Sequence, residues 1–248
     1  MNIDRFLNRL DTFFNSNDLS GAGDCLKFWE KEARNANDDR SLLTILNEWL
    51  GYCRRVNNKE KALTVIEESK ELIDKLKLTN SLSAATIFIN AATTSSHFGK
   101  LEEGLNLYDK AKKCYIDKGA TNTFEYATLL NNSAGVLNIL KRYDEAEKNY
   151  EEAIEILKKL GNRDGEIGLS YVMLAHIMYD RSENPDDSVY EKVESLLDEA
   201  IKYIKSDTIV RDGNFAFILD KIAPSFEYFK RMGQAKAMRN LSKEIYSN

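Results

Sequence analysis

The composition of this chain favours helices and argues against several other classes. Its 248 residues are 43% hydrophobic, so a continuous core can form, while two prolines and 12 glycines are too few turn residues for a β-sandwich or barrel. Asp and Glu number 40 against 35 Lys and Arg, and without a basic stripe this balance argues against nucleic acid as a partner.

The cysteines and the N-terminus predict a reducing compartment. Cys25, Cys53 and Cys114 are odd in number and have no metal-site spacing, so they are interpreted as free thiols. Residues 1–7 contain an early acid and do not resemble a signal peptide. No window approaches the roughly 18 apolar residues of a spanning helix. The sequence predicts a cytoplasmic protein with no membrane contact and no cofactor.

Residues 1–37 predict a degenerate N-terminal hairpin. Phe6, Leu10 and Phe13 are spaced by three or four residues, as expected for one face of a helix, and a second apolar series begins at Ala22. Terminal repeats diverge because one face meets water. Aromatic residues near this end predict an apolar patch that would allow a homo-oligomer: Phe13, Phe14, Trp29 and Trp49.

Residues 38–206 contain four repeats, and three of them align without gaps. These three stand 42 residues apart, at Thr44, Thr86 and Thr128. Small or apolar residues and one large residue recur in register: Leu50, Ala92, Ala134; Ala62, Gly104, Ala146; Ile66, Tyr108, Tyr150; Ser69, Ala111, Ala153. Each unit is predicted to be a helical hairpin with a turn at 57–58, 99–100 or 141–142.

The last third of the chain is less regular. In the fourth repeat, residues 181–187 lengthen the turn, and Asp187 or Ser188 is predicted to cap the following helix. Residues 207–248 predict a C-terminal capping hairpin that turns at Gly233, with Pro224 kinking or breaking the eleventh helix. The prediction is a single solenoid over residues 1–248, with about six hairpins and 12 helices.

This pattern resembles the tetratricopeptide repeat family. The third unit carries the resemblance most clearly, through Leu130, Ala134, Leu137, Tyr143, Ala146, Tyr150 and Ala153. The 42-residue length is similar to the repeats of kinesin light chains and of bacterial peptide-responsive regulators, since the usual unit has about 34 residues. The resemblance implies an all-α, right-handed α-solenoid, or superhelix, whose first helices line a concave groove.

The sequence shows no catalytic or metal-binding motif. His97 and His176 are far apart in the chain, and neither has a second His or a Cys at ligand spacing. Paired acids such as Glu151 and Glu152 lie opposite the apolar stripe, which is typical of a solvated helix face. The chain is therefore predicted not to be an enzyme.

Matched polar positions in the first helices predict a peptide-binding wall. Asn is a poor helix-interior residue, and its amide can both donate to and accept from a peptide backbone. Long-repeat proteins such as kinesin light chains are similar in holding extended peptides with Asn at the corresponding place. The candidate residues are Thr44, Asn47, Glu48, Gly51, Arg55, Thr86, Asn90, Thr93, His97, Thr128, Asn131, Asn132, Gly135 and Asn138. The alternative is that these side chains bond only to one another or to water.

These features predict a non-enzymatic scaffold or adaptor that binds an extended peptide or protein segment in the groove. Two alternatives stay open. One is the regulatory subunit of a bacterial peptide sensor, although residues 1–37 are short for an effector domain. The other is a homo-oligomeric assembly protein.

Overall fold

The structure, a computed structural model, describes residues 1–247. That stretch contains helices and no strands. The twelve helices are α1 (Ile3–Asn15), α2 (Leu19–Asn35), α3 (Asp39–Arg55), α4 (Lys59–Lys75), α5 (Leu82–His97), α6 (Leu101–Asp117), α7 (Phe124–Ile139), α8 (Tyr143–Leu160), α9 (Asp164–Asp180), α10 (Asp187–Ile204), α11 (Gly213–Tyr228) and α12 (Met232–Ser247). The predicted all-α class and helix number are confirmed.

The helices form two compact units. The N-terminal unit is residues 1–120, with α1–α6, and the C-terminal unit is residues 121–248, with α7–α12. Inside each unit consecutive helices pair as hairpins, and first helices of neighbouring hairpins also touch: α3 packs on α5, and α9 packs on α7 and α11. Each unit therefore has the predicted hairpin packing. The single array over residues 1–248 stays a prediction.

The first helix of each aligned hairpin ends in the same backbone geometry at the predicted turn. Asn57 and Lys141 have φ of 54° and 59°, in the left-handed region that stops a helix. After α3, the N–H of Asn58 donates to the Cys53 carbonyl (2.9 Å) and that of Asn57 to the Arg54 carbonyl (3.4 Å). The same pair of bonds closes the turns at 99–100 and 141–142. These Schellman motifs satisfy carbonyls that the helix end would leave unpaired, so each hairpin has a tight, repeatable turn.

Small residues allow the two helices of each hairpin to approach closely. Ala62 and Ala146 have no exposed surface. At the matched position Gly104, an added Cβ would lie 3.0 Å from the Ala92 carbonyl oxygen of the partner helix. Tyr108, one helical turn further on, is buried beside this contact. The recurring small and large positions of the sequence are thus the hairpin cores.

The helix boundaries near residue 187 and residue 233 differ from the predictions. Asp186, not Asp187 or Ser188, caps α10, because its carboxylate accepts the Val189 N–H at 3.0 Å. The last turn lies at residues 230–231 and not at Gly233, which is inside α12. There Lys230 adopts a φ of 61° and closes the same Schellman motif without glycine.

Pro224 does not break α11, which runs unbroken from Gly213 to Tyr228. The proline ring and Asp220, whose carbonyl loses its helical N–H partner, both lie on the exposed side. Water can therefore satisfy that carbonyl, while buried Ile222 and Phe226 keep the opposite side of the helix packed.

The sequence pattern predicted that Glu152 lies on a fully solvated helix face, and this prediction is wrong. Its neighbour Glu151 is exposed, but Glu152 is half-buried and hydrogen-bonds to Tyr126 of α7. Burial, together with this carboxylate, raises the pKa of Tyr126 to about 12. A carboxylate that ties two helices together is a poor neutral control for mutagenesis, whereas Glu151 is a good one.

The close approach of α7 and α8 predicts that Ala146→Leu destabilises the protein. Three further carbons have no space at this fully buried position, and overpacking of this kind costs about 1–3 kcal/mol. Urea denaturation followed by circular dichroism measures the loss. The exposed control Glu151→Ala should change the free energy of unfolding by no more than about 0.5 kcal/mol. Equal effects of the two substitutions would contradict the assigned packing.

Candidate functional site

A pair of amides connects the two central first helices of the N-terminal unit. Asn90 on α5 donates through Nδ2 to Oδ1 of Asn47 on α3 at 2.8 Å, and Asn47 donates in turn to Glu48 Oε1 at 3.1 Å. All three side chains are half-buried. We call Asn47, Glu48, Asn90 and their neighbours Arg54 and Thr93 the N-terminal polar face. The structure thus brings together three of the residues that the sequence predicted for one wall.

Arg54, and not the predicted Arg55, belongs to this face. Its Nη1 donates to Thr94 Oγ1 at 2.6 Å and lies 3.3 Å from the Asn90 carbonyl oxygen. Burial lowers the pKa of Arg54. The nearby Tyr108 and Glu48 partly oppose this decrease. Arg55 is exposed and covers the Phe14 ring of α1 at 4.5 Å. Arg54 follows Asn47 by two helical turns, and this spacing could have placed Arg54 on the same helix face as Asn47.

Glu48 is the carboxylate of this face. Its burial raises the pKa, as does Asp11 of α1, while the hydrogen bond from Asn47 and the charge of Arg54 act in the opposite direction. The ionised form is therefore less favourable here than in water. A cation or an N–H group placed beside this carboxylate would stabilise the ionised form.

In two hairpin cores the large residue is a tyrosine, and its hydroxyl lies close to the first helix. Tyr108 OH lies 2.9 Å from Thr93 Oγ1, and an added Cβ at Gly135 would lie 3.6 Å from Tyr150 OH. Burial raises the pKa of Tyr108 to about 12 and also raises that of Tyr150. The positions of Thr93 and Gly135 therefore accommodate a core hydroxyl. At Gly51 the nearest atom to an added Cβ is Arg54 Nη2, 3.9 Å away, so a side chain there would meet only the end of a flexible arginine.

The three matched threonines bond to their own helices. The hydroxyls of Thr44, Thr86 and Thr128 each lie within hydrogen-bond distance of the carbonyl four residues earlier, at 3.3, 3.3 and 2.9 Å. Their donor hydrogens are committed there, and only their acceptor lone pairs remain for a ligand.

In the C-terminal unit, two adjacent asparagines of α7 have different roles. Asn131 Oδ1 accepts from Ser170 Oγ of α9 at 3.0 Å. Asn131 is two repeat lengths beyond Asn47, so the same repeat position ties neighbouring first helices in both units. Asn132 is half-buried, and its amide makes no hydrogen bond to any described residue. Asn138 has its Oδ1 shielded from solvent and without a partner within residues 1–247.

The two histidines lie in different surroundings. His97 is exposed and packs against the neighbouring Phe98 ring, with centroids 4.8 Å apart. His176 is half-buried, with Nε2 2.9 Å from Ser225 Oγ of α11. Burial lowers the pKa of His176, and Asp180 partly opposes this. The sequence offered no signal for the contact with Ser225, because it depends on how α9 and α11 pack.

Cavities of about 310 and 280 Å³ lie in the N-terminal unit, and neither is lined by a candidate residue. Residues 1–247 hold no group of three or more His, Cys, Asp or Glu side chains that are placed to share a metal ion. Across the same residues, no helix combines the length and hydropathy needed for a membrane span.

The comparisons with known proteins agree with this architecture. Residues 125–192 match the family model described as "Tetratricopeptide repeat". BtubC (BKLC) from P. vanneervenii is similar in structure, with a TM-score of 0.63 at 15% identity over 100% of this chain and 92% of that chain. A putative kinesin light chain with nearly identical TPR-like repeats from Podosopora anserina has a TM-score of 0.56 at 11% identity, covering 83% of this chain and 95% of that chain. No curated protein sequence matches.

The fold and the repeat match define the class: residues 125–192 match tetratricopeptide repeats, and the described helices pair as hairpins in the fold of tetratricopeptide repeat structures. Solved structures at 11–15% identity show the same fold. Proteins of this class are in general protein-interaction scaffolds rather than enzymes.

The burial of Glu48 predicts a pH-dependent effect of Glu48→Gln. Because the folded-state pKa is raised, the contribution of Glu48 to stability is complete below its ordinary value of 4.5 and is lost as pH rises through the raised value. The glutamine side chain is neutral at every pH, so the variant should gain stability relative to wild type as pH rises from about 4 to 7. Urea denaturation at several pH values measures this difference, with the exposed Glu155→Gln as control. A difference between variant and wild type that does not change with pH would contradict the prediction.

Proposed function

We propose that the chain is a scaffold that binds an extended peptide or protein segment on the polar positions of its first helices. The observation that carries this proposal is Asn132, a half-buried amide in mid-helix that makes no hydrogen bond within residues 1–247. Asn in a helix interior lowers helix stability, and a half-buried amide is satisfied best by a partner that both donates and accepts. A peptide backbone provides both groups.

The N-terminal polar face supports the same function, although some of its hydrogen-bonding groups are already paired within the protein. An Asn amide has two N–H donors and an oxygen acceptor, and the bond from Asn90 to Asn47 uses one of those donors. The second donor and the oxygen of Asn90 remain available beside Glu48. The bonds among these residues also hold the amides in place, which reduces the entropy cost of binding.

The two alternative functions predict different behaviour. A peptide sensor should compact when its peptide binds, which small-angle X-ray scattering measures. For the homo-oligomer, the expected apolar patch is smaller than the sequence suggested, because Trp49 is buried and Arg55 covers Phe14. Phe28, which is 57% exposed, is the main apolar side chain left at that end. Oligomerisation stays a prediction.

The proposal predicts that replacing both Asn90 and Asn132 by Ala weakens peptide binding. A binder selected by the wild-type chain from a displayed library of random linear peptides serves as the probe. Each lost amide leaves a backbone group unpaired, at about 1–3 kcal/mol, so the two losses together should lower affinity by about one and a half to four decades. Isothermal titration calorimetry measures the change.

The matched control is Asn106→Ala, an exposed Asn on the second helix α6, which should bind the peptide as wild type does. Circular dichroism checks that the double variant is folded, since Asn90 also ties α5 to α3. A folded double variant with unchanged affinity would refute the proposed binding surface.

A further inference from the structure

The C-terminal unit exposes a cluster of aromatic rings where α9 and α11 end and α10 begins. Tyr179 is at its centre, with ring centroids 6.0 Å from Tyr190, 5.7 Å from Tyr228 and 5.7 Å from Phe229. Their planes are inclined by 60°, 89° and 79° to that of Tyr179, so the ring faces point in several directions. Tyr190 and Tyr228 are 48% and 53% exposed. Large aromatic side chains grouped this openly are typical of interaction sites.

The charge beside the rings is negative. The last residue of α9, the turn after it and the first residue of α10 carry four acids: Asp180, Glu183, Asp186 and Asp187. The hydrogen bond between Tyr190 and Tyr179 raises the pKa of Tyr190. Asp187 raises it further, which places this carboxylate near the ring.

The nearby arginines are already engaged with other acids. Arg181 is paired with Glu147 at 2.7 Å. Arg231 contacts Asp198 and Glu194, and Arg239 contacts Glu227 at 2.8 Å. The acids of the long turn therefore keep an excess of negative charge.

We propose that this aromatic–acidic surface, defined by Tyr179, Tyr190, Tyr228, Phe229 and the acids of residues 180–187, docks a positively charged segment of a partner protein. An arginine side chain fits the chemistry of the surface, because its flat cation stacks on tyrosine faces while carboxylates nearby balance its charge. The same carboxylates disfavour an acidic partner. The surface lies on α9–α11, so it goes beyond the peptide-binding positions proposed on α3, α5 and α7.

The test uses the full chain and a fluorescein-labelled peptide of alternating arginine and glycine, titrated by fluorescence anisotropy at low salt. Wild type should bind this peptide, and a peptide with citrulline in place of arginine should bind far less, since citrulline keeps the shape but loses the charge. The double variant Tyr190→Ala with Tyr228→Ala should lose about tenfold or more in affinity. The ring-retaining variant Tyr190→Phe with Tyr228→Phe should stay within about threefold of wild type.

Two controls separate this surface from general attraction to an acidic chain. Glu183→Gln with Asp187→Asn should weaken binding by about threefold or more, whereas the same charge change at exposed Glu151 and Glu155 should not. Tyr246→Ala, which removes a ring that is 57% exposed on α12, should bind as wild type. Equal binding of the citrulline peptide, or unchanged affinity of the folded Tyr→Ala double variant, would overturn the proposal. So would sedimentation showing that these rings instead mediate self-association.

Discussion

The close approach of two helices in each hairpin is the constraint on which the other features depend. It requires a residue no larger than alanine on the second helix, as at Ala62, Gly104 and Ala146, and a large side chain one turn later to fill the adjoining space. In two hairpins that side chain is a tyrosine, and its hydroxyl reaches through the core to the first helix at Thr93 or beside Gly135. In these two hairpins the core tyrosine therefore lies next to a first-helix position that the sequence predicted for ligand binding.

This coupling changes the interpretation of the polar positions. The repeat alignment treated all of them as potential ligand contacts, but the structure divides them by partner. Asn47 and Asn131 tie neighbouring first helices, and the matched threonines bond to their own helices. Asn132 and the remaining groups of Asn90 are still available to a ligand.

The two proposed surfaces differ in the chemistry they would recognise. Amides on α3, α5 and α7 would pair with backbone groups that every peptide has, so they would contribute affinity with little selectivity for sequence. The aromatic rings and acids at the ends of α9 and α11 respond to side-chain charge. A scaffold with both kinds of surface could hold one segment by its backbone and select another by its arginines, which is consistent with the use of tetratricopeptide repeats in assembling partners.

The sequence by itself determined the helical class, the hairpin repeat and its turns, because these depend on local periodicity and on residues that form a turn wherever it occurs. It also placed Glu48 and Asn90 on one face, since a 42-residue spacing brings matched positions of neighbouring hairpins together, and it named the adjacent Asn47 as a candidate on the same wall. Helix ends were less certain: the turn at Lys230 needs no glycine, and α11 continues through Pro224 because that side of the helix meets water. Only the tertiary structure decided that Arg54 and not Arg55 joins the polar face, that Glu152 reaches Tyr126, and that the tyrosines of α9, α10 and α11 form one surface. Each of these depends on the rotation of one helix against another, and that rotation is set by packing of side chains distant in the chain.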